Sequence, residues 1–428
     1  MKIPRPAVRW ASIAIAVTSA PAFAQESATQ LYGTLNVDLE SVEARGATAP
    51  ASLPAGSLGL APTGVNVPRR SRVTSNSSNL GFRGTERISP TLSAFFQVES
   101  AVNVDGGGTN IGSRNTAVGM SGSWGSWRLG QWDTPYKTLS GAVDPMYFTG
   151  ITYTGALIGT PGFGVGPTTI GAPATSGDGR TFAAAANASF ERRQGNSIQY
   201  WSPAFSGLAF RAAYSVNEGR TARSAAVTQV DPDIVSASIE YDRGMFYAAY
   251  AYERHADYFG LDALVPAAQA TATGGAADAS SRDIGEKLVL RAKLGGTQLG
   301  LLAERLRYAK GRGAAAPGAF SAYRRNAVAI TLVQAVGAAG TLRGLVAKAW
   351  SGTCERFDGP ACDTSGLGAR QVSLGYSHAF SKRTDGYAFY TRVANDARGS
   401  YQFANGAGLG AAPGSASIGY LLGIRHTF

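Results

Sequence analysis

Hydrophobic and polar residues alternate along nearly all of the chain from Gln30 onward. Leu31, Gly33, Leu35, Val37 and Leu39 share one parity, and Tyr32, Thr34, Asn36, Asp38 and Glu40 share the other. Successive side chains of a strand point to opposite faces, so this segment has one apolar and one polar face. The same alternation returns in Leu92/Ala94/Phe96/Val98, Leu208/Phe210/Ala212/Tyr214/Val216, Val235/Ala237/Ile239/Tyr241, Leu288/Leu290/Ala292/Leu294 and Ile418/Tyr420/Leu422/Ile424, each set against polar or small neighbours. Each run is about ten residues, the length of a tilted strand crossing a bilayer, whereas soluble strands more often run about 5 to 6.

The connectors fall into two classes. Seven are short, as in RISPT at 87–91, GSWG at 122–125, PAFSG at 203–207, DRG at 242–244, GGT at 295–297, GAAG at 337–340 and SKRTD at 381–385. Between them lie eight longer segments near 44–71, 103–113, 133–189, 217–233, 254–286, 307–324, 351–370 and 394–416, rich in Gly, Ala, Ser, Thr and Pro. Seven short and eight long connectors join about sixteen strands. The expected fold is therefore all-β: a transmembrane antiparallel barrel with short turns at one rim and long loops at the other. Its apolar face must meet lipid, so its polar face lines the interior. A barrel of this size is wide enough to hold water.

Composition sharpens this picture. Only 16% of the 428 residues are charged, against roughly 25% in an average soluble domain. After the N-terminus no apolar run approaches the roughly 20 residues of a spanning helix. Residues 1–24 have the layout of a secretory signal peptide: Lys2, Arg5 and Arg9, then the apolar Trp10–Ala20, then Ala22-Phe23-Ala24 before the expected cleavage at Gln25. Cleavage leaves a barrel domain of residues 25–428 and lowers the formal net charge from +11 to +8. Export favours disulfides, and Cys354 and Cys362, the only cysteines, are expected to staple a surface loop. No histidine lies near that pair, so no metal site is expected, and no cofactor motif is present.

Several stretches resemble the general diffusion porins of the Gram-negative outer membrane: QLYGTLNV at 30–37, SNLGFRGTE at 78–86, FFQVESAVN at 95–103, NSIQYWSPAFSG at 196–207, FSKRTDGYAFY at 380–390 and the closing GIRHTF. The resemblance implies a sixteen-stranded barrel, a homotrimer, and a long third loop folded inward to narrow the pore. Residues 133–189 supply such a loop, opening with LGQWDTPYKTLSGAVDPMY at 129–147. The resemblance further implies a basic wall at Arg83, Arg114 and Arg193, with Arg192 competing for the last position. The facing third-loop residues are Asp144, Tyr136 and Lys137. Departures from the family pattern occur at Asn79, Gln131 and Lys137, and no second carboxylate follows soon after Asp144. Parity makes Phe428 a lipid-facing aromatic, and the resemblance makes it a signal for the outer-membrane assembly machinery as well.

The implied function is passive diffusion of small hydrophilic solutes and ions with a weak anion preference, in contact with outer-membrane lipids and lipopolysaccharide. A substrate-specific channel for small carboxylates or sugars is the competing reading. Nothing points to an enzyme: GxSxG, HExxH and P-loop patterns are absent. The basic residues are dispersed over alternating strands instead of clustered, which argues against nucleic acid as a partner.

Overall fold

The computed structural model describes residues 28–162, 174–175, 181–182, 188–216, 220, 231–264, 280–311, 318–359, 362–404, 408–410 and 412–428. The expected signal segment, residues 1–24, lies outside them. Sixteen strands form the wall: β1 Ala28–Arg45; β2 in two segments, Val67–Ser75 and Asn79–Ser89; β3 Leu92–Val102; β4 Thr116–Gly122; β5 Gly125–Asp133; β6 Arg193–Trp201; β7 Leu208–Ser215; and β8 Asp233–Asp242. The second half comprises β9 Phe246–Ala256, β10 Arg282–Leu294, β11 Thr297–Ala309, β12 Phe320–Val336, β13 Gly340–Ala349, β14 Ala369–Ala379, β15 Thr384–Asn395 and β16 Ala416–Thr427. Every neighbour pairs antiparallel. The ring closes where β1 pairs with β16 from Thr34↔Thr427 to Arg45↔Ala416.

Closure leaves no unpaired edge, which a sheet in hydrocarbon requires. It reaches the last residue, because Phe428 and Gly33 exchange both backbone hydrogen bonds, at 3.0 and 3.2 Å. The Phe428 ring lies where a Cβ on Gly33 would sit, 2.6 Å away, so only glycine leaves room for it.

The alternation assigns the faces as expected. Leu31 and Leu39 are more than half exposed on the outside, while Asn36, Asp38 and Glu40 of the same strand are buried inside. The connectors also match, with strands reaching further into several of them. β2 begins at Val67, β9 runs to Ala256, and β11 and β12 extend to Ala309 and back to Phe320. One refinement concerns the interior. Along β9–β13 many inward positions are apolar or small, including Ala249, Val289, Leu302, Ala329 and Leu345, and all are buried. They pack against Tyr136, Leu139, Val143, Met146, Ile151 and Leu157 of the third connector, so the hydrophobic core of the molecule lies inside the barrel.

The long loops at one rim are knitted together. Cys354 and Cys362 form the expected disulfide. Beside it Asp363 binds the first loop through Ser57 and Leu58 and the last loop through Arg398, at 2.9 Å. The Ser365 backbone amide, aided by Arg398, holds the Asp363 carboxyl below the usual carboxylate range. The first loop is thus fastened to the rim of its own barrel.

Candidate pore constriction

The third connector leaves β5 through Thr134, whose hydroxyl accepts from the Lys137 amide and caps the one-turn helix α1, Pro135–Thr138. From there it crosses the barrel, and inward-facing side chains bind its backbone one after another. Lys287 on β10 donates to the Tyr136 carbonyl and the Ser140 hydroxyl. Thr331 on β12 donates to Val143 O, Arg343 on β13 to Pro145 O, and Asn36 on β1 to Phe148 O. Gln371 on β14 holds the carbonyls of Thr152 and Tyr153. Glu304 on β11 completes the set. Its carboxylate accepts from Tyr136 Oη at 2.8 Å and from the Gly159 amide at 2.9 and 3.0 Å, and it faces Arg325 at 3.4 Å. Gly159 has φ +85°, and a Cβ there would collide with Glu191, so glycine is needed on two counts.

Two cavities flank this strap. The one toward the long loops, about 410 Å³, is bordered by Arg72, Arg114, Lys137 and Arg193 with Asp133 and Glu191. The other, about 590 Å³ and toward the short turns, is bordered by Arg114, Arg343 and Arg425 with Asp144. Asn76, Ser77, Arg114 and Tyr147 border both, so the two cavities adjoin beside Arg114.

The structure brings together three of the residues expected from sequence. Arg114 Nε lies 2.5 Å from Glu99 Oε1. Asp133 binds both Lys137 Nζ, at 2.8 Å, and Arg193 Nη2, at 3.2 Å, while Arg193 Nε donates to Asn115 Oδ1. Arg193, not Arg192, borders the cavity; the Arg192 side chain stacks over the Tyr258 ring. Asp144 borders the second cavity but is turned into its own loop, accepting the amides of Met146 and Thr154 at 2.9 and 2.7 Å. Burial pushes its carboxyl up to about 6.

Two expected residues lie apart from this junction. Tyr136 is fully buried, its ring packed on Phe190 and its hydroxyl spent on Glu304, so it anchors the loop and does not border either cavity. Arg83 faces inward, opposite Gln30 near the short-turn rim, bonded to Gln30 Oε1 and stacked over Tyr32. Sequence reasoning missed Arg343 on β13 and Arg425 on β16, both stacked on Phe148 from the loop, with Arg425 paired to Asp385 at 2.9 Å. The inward parity of Arg425 in the final strand was a usable signal. It also missed Arg72, which pairs with Glu40.

Among the described residues no group of three or more His, Cys, Asp or Glu could hold a metal ion, and no helix is long and apolar enough to cross a membrane.

Comparison with known proteins agrees with this architecture. A family model described as Gram-negative porin matches residues 11–398. The major outer membrane protein P.IA of Neisseria meningitidis serogroup B (strain MC58) is 27% identical over 210 residues, 44% of this chain and 46% of that protein. The chain thus spans about half the length of the curated relatives it matches. Among solved structures, an anion-selective porin from Comamonas acidovorans superposes with a TM-score of 0.65 and 21% identity, covering 94% of this chain and all of the other. The trimer form of OmpT from Vibrio cholerae gives 0.58 and 12%, covering 94% and 99%. At these identities the likeness is one of fold.

Proposed function

Because the chain belongs to the Gram-negative porin family, we propose that it is an outer-membrane pore for passive diffusion of small hydrophilic solutes and ions, with a preference for anions. The observation that carries this reading is the pair of cavities meeting beside Arg114. Six basic residues border them (Arg72, Arg114, Lys137, Arg193, Arg343 and Arg425), against the carboxylates of Asp133, Asp144 and Glu191. Asp144 is spent on backbone amides, and Glu191 is engaged by Lys287 and Ser140. Positive groups gathered from several strands around the shared cavity border favour anions in the water between them, as rings of fixed charge do in other channels. The anion-selective porin from Comamonas acidovorans shares the fold, which is in keeping with this reading.

Reversal potentials across a salt gradient in planar bilayers test the proposal directly. An anion-selective potential is expected, and a cation-selective one would refute the preference. Liposome swelling with graded solutes is expected to give flux that falls smoothly with solute size. Saturable flux of one small carboxylate or sugar would instead identify a substrate-specific channel.

The outer leaflet and its lipopolysaccharide surround the apolar belt in this reading, and residues 1–24 direct export. The trimer form of the Vibrio cholerae protein suggests a homotrimer here, with three equal closing steps in single-molecule records. Phe428 serves the assembly machinery in addition to closing the sheet. Deleting it is expected to leave secretion intact and lower the yield of assembled, heat-modifiable barrel several-fold on gels. Wild-type yield would argue against both roles.

A further inference from the structure

Almost every basic side chain bordering the two cavities faces a carboxylate. Arg72 meets Glu40, Arg114 meets Glu99, Lys137 and Arg193 share Asp133, and Arg425 meets Asp385. Arg343 does not. Among the described residues its partners are the Ser377 hydroxyl at 3.1 Å, the Pro145 carbonyl at 2.7 Å and the Phe148 ring, centred 5.6 Å from the guanidinium carbon. Arg128, on the inner face of β5, is held in the same way. Its guanidinium carbon lies 3.9 Å from the centre of the Trp201 ring and 4.5 Å from that of Trp132, and it donates to the Ser126 hydroxyl at 3.2 Å. Arg83 repeats the arrangement with the Tyr32 ring and the Gln30 amide oxygen.

The two kinds of holder differ in the charge they leave behind. A carboxylate fixes a guanidinium and cancels its charge, so beyond the pair only the weaker field of a dipole remains. An aromatic face, a hydroxyl or an amide also fixes it, but each is neutral overall, and the full unit charge survives. The three uncancelled arginines also share one side of the strap. Arg128 and Arg343 stand near the starts of β5 and β13, which leave short turns at Gly125 and Gly340, and Arg83 lies toward the short-turn end of β2. Lys293, exposed near the turn after β10, adds to the same side. Arg211 and Arg291 on this wall are neutralised by Glu240 and Asp242. Asp144, the carboxylate bordering the short-turn cavity, is buried and turned to backbone amides. Toward the long loops one excess charge remains where Lys137 and Arg193 share Asp133, and Arg70 stands exposed at the mouth.

We propose that Arg83, Arg128 and Arg343 supply the charge that sets the anion preference of the pore, acting from the vestibule on the short-turn side of the strap. The ion pairs beside Arg114 shape the passage, and breaking one of them shifts selectivity by uncovering its acid. The proposal rests on the reading of the chain as an anion-preferring pore. Placing the excess charge on one side has a measurable consequence. Salt screens a fixed charge within about 10 Å at 0.1 M and about 3 Å at 1 M. Anion preference is therefore weaker when the concentrated salt bathes the short-turn mouth than when it bathes the long-loop mouth.

The test uses the assembled full chain in planar bilayers, with potassium chloride at about 0.1 M and 1 M across single channels and the gradient applied in both directions. Wild type is expected to give two different permeability ratios, both favouring chloride. Arg83→Gln/Arg128→Gln/Arg343→Gln is expected to lower the ratio at least about threefold, toward unity, and to make the two directions agree. Lysine at all three positions keeps the charge and is expected to hold the ratio within about twofold of wild type. A loss as large as with glutamine would give these arginines a structural role and overturn the proposal. Arg291→Gln/Asp242→Asn removes a whole ion pair from the same wall and is expected to leave the ratio unchanged, whereas Asp242→Asn alone uncovers Arg291 and is expected to raise it. Should the triple variant fail to assemble, Arg128→Gln and Arg343→Gln are each expected to lower the ratio on their own. A wild-type ratio in the glutamine variants would overturn the assignment and leave the pore reading standing. A wild-type protein that conducts without preferring anions would refute that reading itself.

Discussion

Replacing Glu304 by alanine is expected to raise single-channel conductance and make it noisy. Two separate supports of the strap end on this one carboxylate, the Tyr136 hydroxyl and the Gly159 amide, and the charge of Arg325 on the neighbouring wall strand faces it. Both members of the Glu304–Arg325 pair have fully buried side chains. Removing one partner of such a pair typically costs about 3 to 5 kcal/mol, because the remaining charge stays buried without compensation. The barrel itself is held by sixteen mutually paired strands and is expected to survive. The loss therefore falls on the segment from Tyr136 to Gly159, which packs against the wall and is not part of the sheet. Loosened there, the strap no longer keeps the two cavities at a fixed width.

Glu304→Gln separates the causes. It keeps an acceptor for Tyr136 and Gly159 while removing the charge opposite Arg325, and an intermediate increase in conductance is expected. Conductance and current noise equal to wild type in the alanine variant would show that Glu304 does not hold the strap.

Neutralising Arg114 and Arg193 together is expected to move ion selectivity toward cations by several-fold. Both border the cavity toward the long loops. A unit charge about 6 Å from a permeating ion in water contributes roughly 0.7 kcal/mol, so two contribute about 1.4 kcal/mol, or about tenfold in partitioning. Screening over about 10 Å at 0.1 M salt reduces this, and at 1 M, where the screening length is about 3 Å, little should remain. Glutamine at both positions retains hydrogen-bonding capacity toward Glu99 and Asp133 and uncovers their charge. The measurement is the reversal potential of the double variant at 0.1 M and 1 M. A permeability ratio equal to that of wild type at low salt would mean that selectivity is set elsewhere, with Arg343 and Arg425 the next residues to test.

The barrel was legible in the sequence because its two solvents impose a period of two on nearly every strand. The runs at Leu31–Glu40, Leu208–Val216 and Ile418–Phe428 all lie in observed strands or end beside them, and the seven short turns fall where Gly, Pro, Asp and Ser mark them. The site was only half legible. Parity shows which face a residue occupies and says nothing about what covers it. Lys287, Glu304 and Gln371 share the inward parity of Arg83, yet they are buried beneath the strap while Arg83 is exposed. The same limit explains Tyr136, which sits in the loop motif but turns its ring into the wall. Asp144 gives another case, since its carboxylate serves amides two and ten residues further along the chain. Arg343 and Phe148, nearly two hundred residues apart, meet only because the strap crosses the barrel, a contact that no local pattern announces.

The seam between β1 and β16 also sets the order of events in making the molecule. The hydroxyls of Thr34 and Thr427 meet at 3.2 Å across 393 residues of chain. Contacts of such separation form slowly, because the entropy of closing the intervening chain is lost before any native contact compensates for it. A nascent chain leaving the ribosome therefore has no complete seam to form until β16 has been made. Every shorter intermediate carries two open sheet edges and a continuous greasy face. Its passage to the membrane is a race between closure and aggregation, and the pairing of β16 with β1 decides the outcome.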